Sequence, residues 1–254
     1  MVCGLGDETD VLTVQRGLDC SVYPTEQLEN CRLRKPECMQ RLIFLLRHGE
    51  IETRVPRRFI GRTDISLSSS GVRQAQMLGK QLRSISFAHV ISSPLRRAVE
   101  TAVLVSGWPV NMIEQNKAFA EIDLGDWEGR TAAEIEQLYP GEYEERGHDF
   151  EHYRPWQGES FGDVADRVLP ALKSLVVSPD PGPLLVVAHA GVNRVILSRL
   201  QQHPLQQLFE IPQDYGAVNI LRAGEEGTEV LAVNLRNQSP DIEKLTKMWQ
   251  GEII

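Results

Sequence analysis

Arg41-Leu42-Ile43-Phe44-Leu45-Leu46-Arg47-His48-Gly49-Glu50 decides the fold of this chain. From Leu42 to Leu46 every residue is apolar, in a run too short for an ordinary helix. A bounded apolar run of that kind is expected of a strand buried on both faces, in a parallel sheet covered by helices. The run stops at Arg47-His48-Gly49. Open α/β sheets bind ligands beyond the carboxyl ends of their strands. The strand therefore delivers a guanidinium and an imidazole to the expected place for chemistry.

A second stretch repeats the arrangement. Leu184-Leu185-Val186-Val187-Ala188 is another buried-strand pattern, and it ends at His189-Ala190-Gly191. If the two strands are neighbours, both imidazoles face one pocket.

Length and composition set the limits. The chain has 254 residues, enough for one large α/β domain with an appendage. It is 41% hydrophobic and 24% charged, ordinary for a globular protein. A net charge of −8 argues against a general nucleic-acid binder. No apolar stretch approaches the roughly 18 residues of a membrane span. The N-terminus lacks the apolar core of a secretory signal, so a cytoplasmic location is expected. The four cysteines, Cys3, Cys20, Cys31 and Cys38, all precede the first strand and lack Cys-x-x-Cys spacing. Residues 1–40 read as an appendage of unassigned role, and residues 41–254 as the functional domain.

Further along, residues 47–66 carry Arg47, Arg54, Arg57, Arg58 and Arg62 against Glu50, Glu52 and Asp64, a local basic excess suited to gripping an anion. A helix is expected after the Ser68-Ser69-Ser70 cap. A second strand is expected at His89–Ser92, and a helix starting at Pro94 with Ser93 as cap, Arg96 and Arg97 in its first turn. Val110–Ile113 reads as a third strand. Glu121, Asp123, Asp126 and Glu128 lie in a glycine-containing loop, and composition alone does not choose an acid among them. Thr131 to Leu138 reads as a helix and residues 139–160 as irregular. Phe161 to Val177 reads as a helix that Pro170 should kink or divide. A helix from Gly191, a hairpin of 217–222 with 229–236, and a loose tail from Asn237 complete the pattern.

Two histidines, clustered arginines, helix N-termini and a carboxylate suit an anion with four oxygens. Phosphoryl transfer is largely positioning and charge stabilisation, which these groups supply. No His-Glu-x-x-His metal motif and no P-loop occurs, and no cofactor is expected. A neutral histidine can itself be the nucleophile, provided an acid protonates the leaving oxygen.

Arg47-His48-Gly49-Glu50, Gly61-Arg62-Thr63-Asp64, Ser92-Ser93-Pro94-Leu95-Arg96-Arg97-Ala98 and Ala188-His189-Ala190-Gly191 together resemble the histidine phosphatase superfamily, in the family's order. The resemblance implies an α/β fold, a three-layer αβα sandwich with a mostly parallel central sheet of the phosphoglycerate mutase-like kind. It makes His48 the phosphorylated nucleophile, with Arg47, Arg97 and His189 binding the transferring phosphoryl group. Glu121 becomes the general acid and then the base for water. Arg54, Arg58, Gly61 and Gly191 become substrate-binding; many relatives carry Asn at the place of Arg54. Mutases of the family usually follow the acid with Arg-His-Tyr-Gly, whereas this chain has Ile122-Asp123-Leu124-Gly125. That departure favours a phosphatase over a 2,3-bisphosphoglycerate-dependent mutase or an idle phosphate-binding regulator. The phrases Glu121–Gly129 and Gly158-Glu159-Ser160 are similar to alpha-ribazole phosphatases of cobalamin assembly. The implied partner is a small phosphorylated metabolite.

Overall fold

The apolar runs do become the centre of a sheet. The computed structural model describes residues 40–52, 56–176, 182–224 and 227–249. The expectations placed on residues 1–39, their cysteines and Arg54 lie outside the described residues. Strands β1 (Arg41–Arg47), β2 (His89–Ser92), β3 (Glu114–Gln115), β4 (Leu184–Ala188), β5 (Val218–Gly224) and β6 (Gly227–Leu235) form one six-stranded sheet in the order β3-β2-β4-β1-β5-β6. β1, β2, β3 and β4 run parallel, while β5 and β6 are an antiparallel hairpin on the edge of β1.

Seven α-helices are present among the described residues: α1 (Ser69–Gln81), α2 (Arg96–Ser106), α3 (Ala132–Leu138), α4 (Glu142–His148), α5 (Phe161–Val176), α6 (Ala190–Leu200) and α7 (Pro240–Trp249). The two-residue period of the strands divides the core between two faces. Ile43, Leu45, Leu184 and Val186 pack with Val164, Val168, Val195 and Ile196 of α5 and α6. Leu42, Phe44, Leu46, Leu185 and Val187 pack with Leu78, Ala98, Ala102 and Ile242 of α1, α2 and α7. The result is an αβα sandwich. Each large aliphatic or aromatic side chain buried here contributes roughly 1.5–3 kcal/mol. No helix among the described residues is long and apolar enough to cross a membrane.

Local signals explain several boundaries. Ser68 caps α1 by accepting from the Gly71 amide at 3.0 Å. Thr131 and Glu134 form a reciprocal capping box at α3.

Five expectations are corrected. The third strand is not Val110–Ile113: Val110–Met112 is a 3-10 turn with exposed side chains, and the strand is Glu114–Gln115. Helix α2 starts at Arg96 rather than Pro94, because its first amide is met by Asp64 from the preceding loop (2.7 Å), not by Ser93. The 139–160 region contains α4, anchored where Arg146 packs among Trp127, Phe150 and Phe161. The tail forms α7, whose Ile242 is fully buried under the sheet. Pro170 does not divide α5; it and Asp166, whose carbonyl loses its intrahelical donor, lie on the exposed face where water can replace the bond.

Candidate active site

β1 and β4 are hydrogen-bonded neighbours with Arg47 opposite Ala188, so the first residue beyond each strand is a histidine. The His48 amide extends the ladder to the Ala188 carbonyl (3.1 Å). The two rings stand 5.0 Å apart between centroids, inclined at 60°. Ser93, the first residue beyond β2, shares a 2.7 Å hydrogen bond between its hydroxyl and His189 Nε2.

The His48 Nδ1 lies 2.7 Å from the Gly49 carbonyl. A carbonyl only accepts, so Nδ1 carries the proton and Nε2 is left with its lone pair. Burial, then Arg97, then Arg47 push the His48 pKa well below the usual histidine range. Burial, His48, Arg97 and Arg47 do the same to His189. Both rings are neutral at physiological pH.

The arginines are held by carbonyls rather than carboxylates. Arg47 donates to the Gln213 carbonyl (2.5 Å) and lies 3.7 Å over the Tyr215 ring. Arg97, 1% exposed, donates to the carbonyls of Gly61 (2.6 Å) and Thr63 (2.7 Å). Burial lowers both guanidinium pKa values, and Glu121 opposes that shift at each. Arg47 Nε, Arg97 Nε and His189 Nδ1 are buried and make no hydrogen bond. Leaving a buried polar group unpaired costs about 1–3 kcal/mol, and an oxyanion seated among these nitrogens would remove that cost.

Glu121 is 8% exposed and sits at the start of α6. Its Oε2 accepts from the Gly191 amide (3.1 Å) and its Oε1 from the Ile122 amide (3.0 Å). A Cβ on Gly191 would lie 2.5 Å from Oε1, so only glycine lets the carboxylate approach. The carbonyl of Glu121 receives Arg62 and Arg167, both at 3.3 Å.

The structure thus brings His48, His189, Arg47, Arg97, Glu121 and Gly191 together. Gly61 contributes through its carbonyl to Arg97. Arg58 is turned to α3, where it pairs with Glu134 (2.8 Å) and donates to the Gly129 carbonyl (2.8 Å). Ser93, Gln213 and Tyr215 also belong to the site. Tyr215 stacks 5.6 Å from His48, yet nothing in its sequence neighbourhood marks it.

Residues 43–236 match the Histidine phosphatase superfamily (branch 1). The chain belongs to the histidine phosphatase superfamily. It is an enzyme of the phosphatase kind. An adenosylcobalamin/alpha-ribazole phosphatase from Escherichia coli is 30% identical over 76% of this chain and 96% of its own length. A glucosyl-3-phosphoglycerate phosphatase from Mycolicibacterium vanbaalenii is 35% identical over 65% of this chain and 76% of its own. The solved structure of YhfR from Bacillus stearothermophilus superimposes with a TM-score of 0.69 at 34% identity, covering 76% of this chain and 96% of that one. The fold is that of the phosphoglycerate mutase-like histidine phosphatases.

The neutral histidines of this histidine phosphatase have a pH consequence. In the unfolded chain each histidine gains a proton as pH falls through about 6.5. In the folded chain both resist until lower pH. The unfolded state then binds more protons, so stability should fall as pH drops below about 6.5. If His48 is the nucleophile, catalysis should not follow the same midpoint, because its pKa lies well below that range. We expect kcat/KM, corrected for ionisation of the substrate phosphate, to show no acid limb at about 6.5. A limb at that value in a pH–rate profile would assign His48 an ordinary pKa.

Proposed function

We propose that this enzyme hydrolyses a small phosphomonoester through a phosphohistidine on His48. The observation that carries the reading is the His48 ring: Nδ1 is tied to the Gly49 carbonyl, the pKa is depressed, and Arg47 and Arg97 flank it. Nε2 attacks phosphorus, and the P–O bond to the leaving group breaks. Arg47, Arg97 and His189 hold the equatorial oxygens as charge shifts. Glu121 gives its proton to the departing oxygen. Water then attacks the phosphohistidine, losing a proton to Glu121, and releases inorganic phosphate with His48 restored.

The leaving group is read from relatives and from one residue. Alpha-ribazole 5′-phosphate is the first candidate, since the Escherichia coli relative is named for that substrate, and it would place the enzyme in cobalamin assembly. The mutase alternative needs a cation beside the acid to hold a second acidic group. Here that place is Ile122, 5% exposed within the apolar core. Arg47 and Arg97 supply the positive charge that a metal would otherwise bring, so turnover should survive EDTA. The test is phosphate release from a panel of phosphorylated metabolites in EDTA-treated buffer, with alpha-ribazole 5′-phosphate, glucosyl-3-phosphoglycerate and both phosphoglycerates included. The expected result is hydrolysis of at least one ester without isomerisation. Efficient interconversion of 2- and 3-phosphoglycerate would establish the mutase instead.

A further inference from the structure

The mechanism uses one carboxylate of the 121–128 stretch, and Glu128 is left without a role in it. Its surroundings are unlike those of a proton donor. Oε1 accepts from the amides of Gly61 (3.0 Å) and Thr63 (2.8 Å) and from the Thr63 hydroxyl. Oε2 accepts from the amides of Gly61 (3.1 Å) and Arg62 (3.3 Å). Each Glu128 oxygen accepts at least two donors of a neighbouring loop, whereas each Glu121 oxygen accepts one amide and keeps a lone pair for a leaving group.

The carbonyls of that loop face the other way. Gly61 and Thr63, whose amides bind Glu128, are the residues whose carbonyls receive the two terminal nitrogens of Arg97. Gly61 makes the close approach possible: a Cβ there would stand 2.3 Å from the Ile122 carbonyl and 2.9 Å from Glu128 Oε2. We propose that Glu128 is a positioning residue that orients Arg97 toward the transferring phosphoryl group by fixing the backbone of residues 61–63. This rests on the reading of Arg97 as a phosphoryl ligand.

The indirect route has a physical advantage. A carboxylate paired directly with Arg97 would neutralise the charge needed by the phosphoryl group. Acting through three amides, Glu128 instead aims two neutral carbonyls at the guanidinium. They fix its plane and leave its positive charge for the substrate. The Nε edge of Arg97 is buried without a partner, so the site depends on where that plane is set.

The experiment compares Glu128→Gln, Arg97→Ala and the double variant as full-length chains. Each is followed by thermal unfolding, by hydrolysis of p-nitrophenyl phosphate, and by inhibition with inorganic phosphate. Gln presents an NH2 where amides must be accepted, so the loop should shift. Misplacement of a reacting group by about 1 Å costs on the order of 10²-fold in rate. We expect a loss of that size in kcat/KM for Glu128→Gln, with weaker phosphate inhibition. In the Arg97→Ala background the same change should matter by less than about twofold, because groups acting through one another are not additive. If Glu128→Gln does not fold, Thr63→Val removes one donor from the carboxylate and should give a smaller loss with the same dependence on Arg97. Activity of a folded Glu128→Gln or Thr63→Val chain equal to wild type overturns the proposal, and so do losses that multiply with Arg97→Ala. If Arg97→Ala alone leaves activity intact, the reading of the site fails, and this inference with it.

Discussion

Glu121→Gln enzyme mixed with p-nitrophenyl phosphate and quenched within its first turnovers should carry its phosphoryl group on His48. Nitrophenolate leaves without much help from an acid, so attack by Nε2 still proceeds in this variant. The second step does need a base, because water must lose a proton as it attacks. Gln cannot accept that proton; its carbonyl oxygen can keep the Gly191 amide while its NH2 gives up the bond from the Ile122 amide. Dephosphorylation becomes limiting and the phosphoenzyme accumulates. It should be acid-labile and base-stable, as a phosphorus–nitrogen bond is. Losing a positioned acid–base group typically costs on the order of 10²–10⁴ in rate. With a poor alkyl leaving group both steps suffer, and accumulation should largely disappear. His48→Ala should lose at least as much activity and trap no label. Peptide mapping that places the label on His189, Ser93 or an aspartate would remove His48 from its role. No label at all, with inversion at phosphorus, would mean direct attack by water.

Gly191→Ala should cost about 1–3 kcal/mol in thermal unfolding, from the buried bond it breaks, and be severe in catalysis. The added methyl would lie 2.5 Å from Glu121 Oε1 and 3.3 Å from the Phe161 ring. The nearest atom is the end of a side chain, which can rotate away. That end is also the group proposed to move the proton. Displacing it breaks the 3.1 Å bond to the Gly191 amide and takes the acid out of line with the leaving oxygen. A shift of about 1 Å is enough for a loss on the order of 10²-fold. The loss should grow as the leaving group becomes more basic, since only such substrates depend on the acid. Equal losses for nitrophenyl and alkyl phosphates would indicate that phosphate binding, not proton transfer, had been damaged.

The elements written into the sequence are those governed by local rules. The apolar runs of β1 and β4 have no stable place except inside a covered sheet, and each carries its histidine at the end where such sheets bind ligands. The cap at Ser68 is made by residues within three positions of one another. It was legible because donor and acceptor are neighbours in the chain.

What tertiary structure alone decides is the fate of groups whose partners lie far along the chain. Four carboxylates between residues 121 and 128 are equivalent on composition. Folding sends Glu121 to the Gly191 amide, Asp123 to Arg62 and the Gly125 amide, Asp126 to the Tyr139 hydroxyl, and Glu128 to the amides of residues 61–63. Tyr215 reaches His48 only because β5 returns antiparallel beside β1. Ile242 is drawn under the sheet by an apolar face that its own segment does not reveal. The sequence by itself determined a covered parallel sheet bearing two histidines. Which acid and which arginine plane meet them depends on contacts between residues 34 to 166 positions apart, and local propensity carries no record of those.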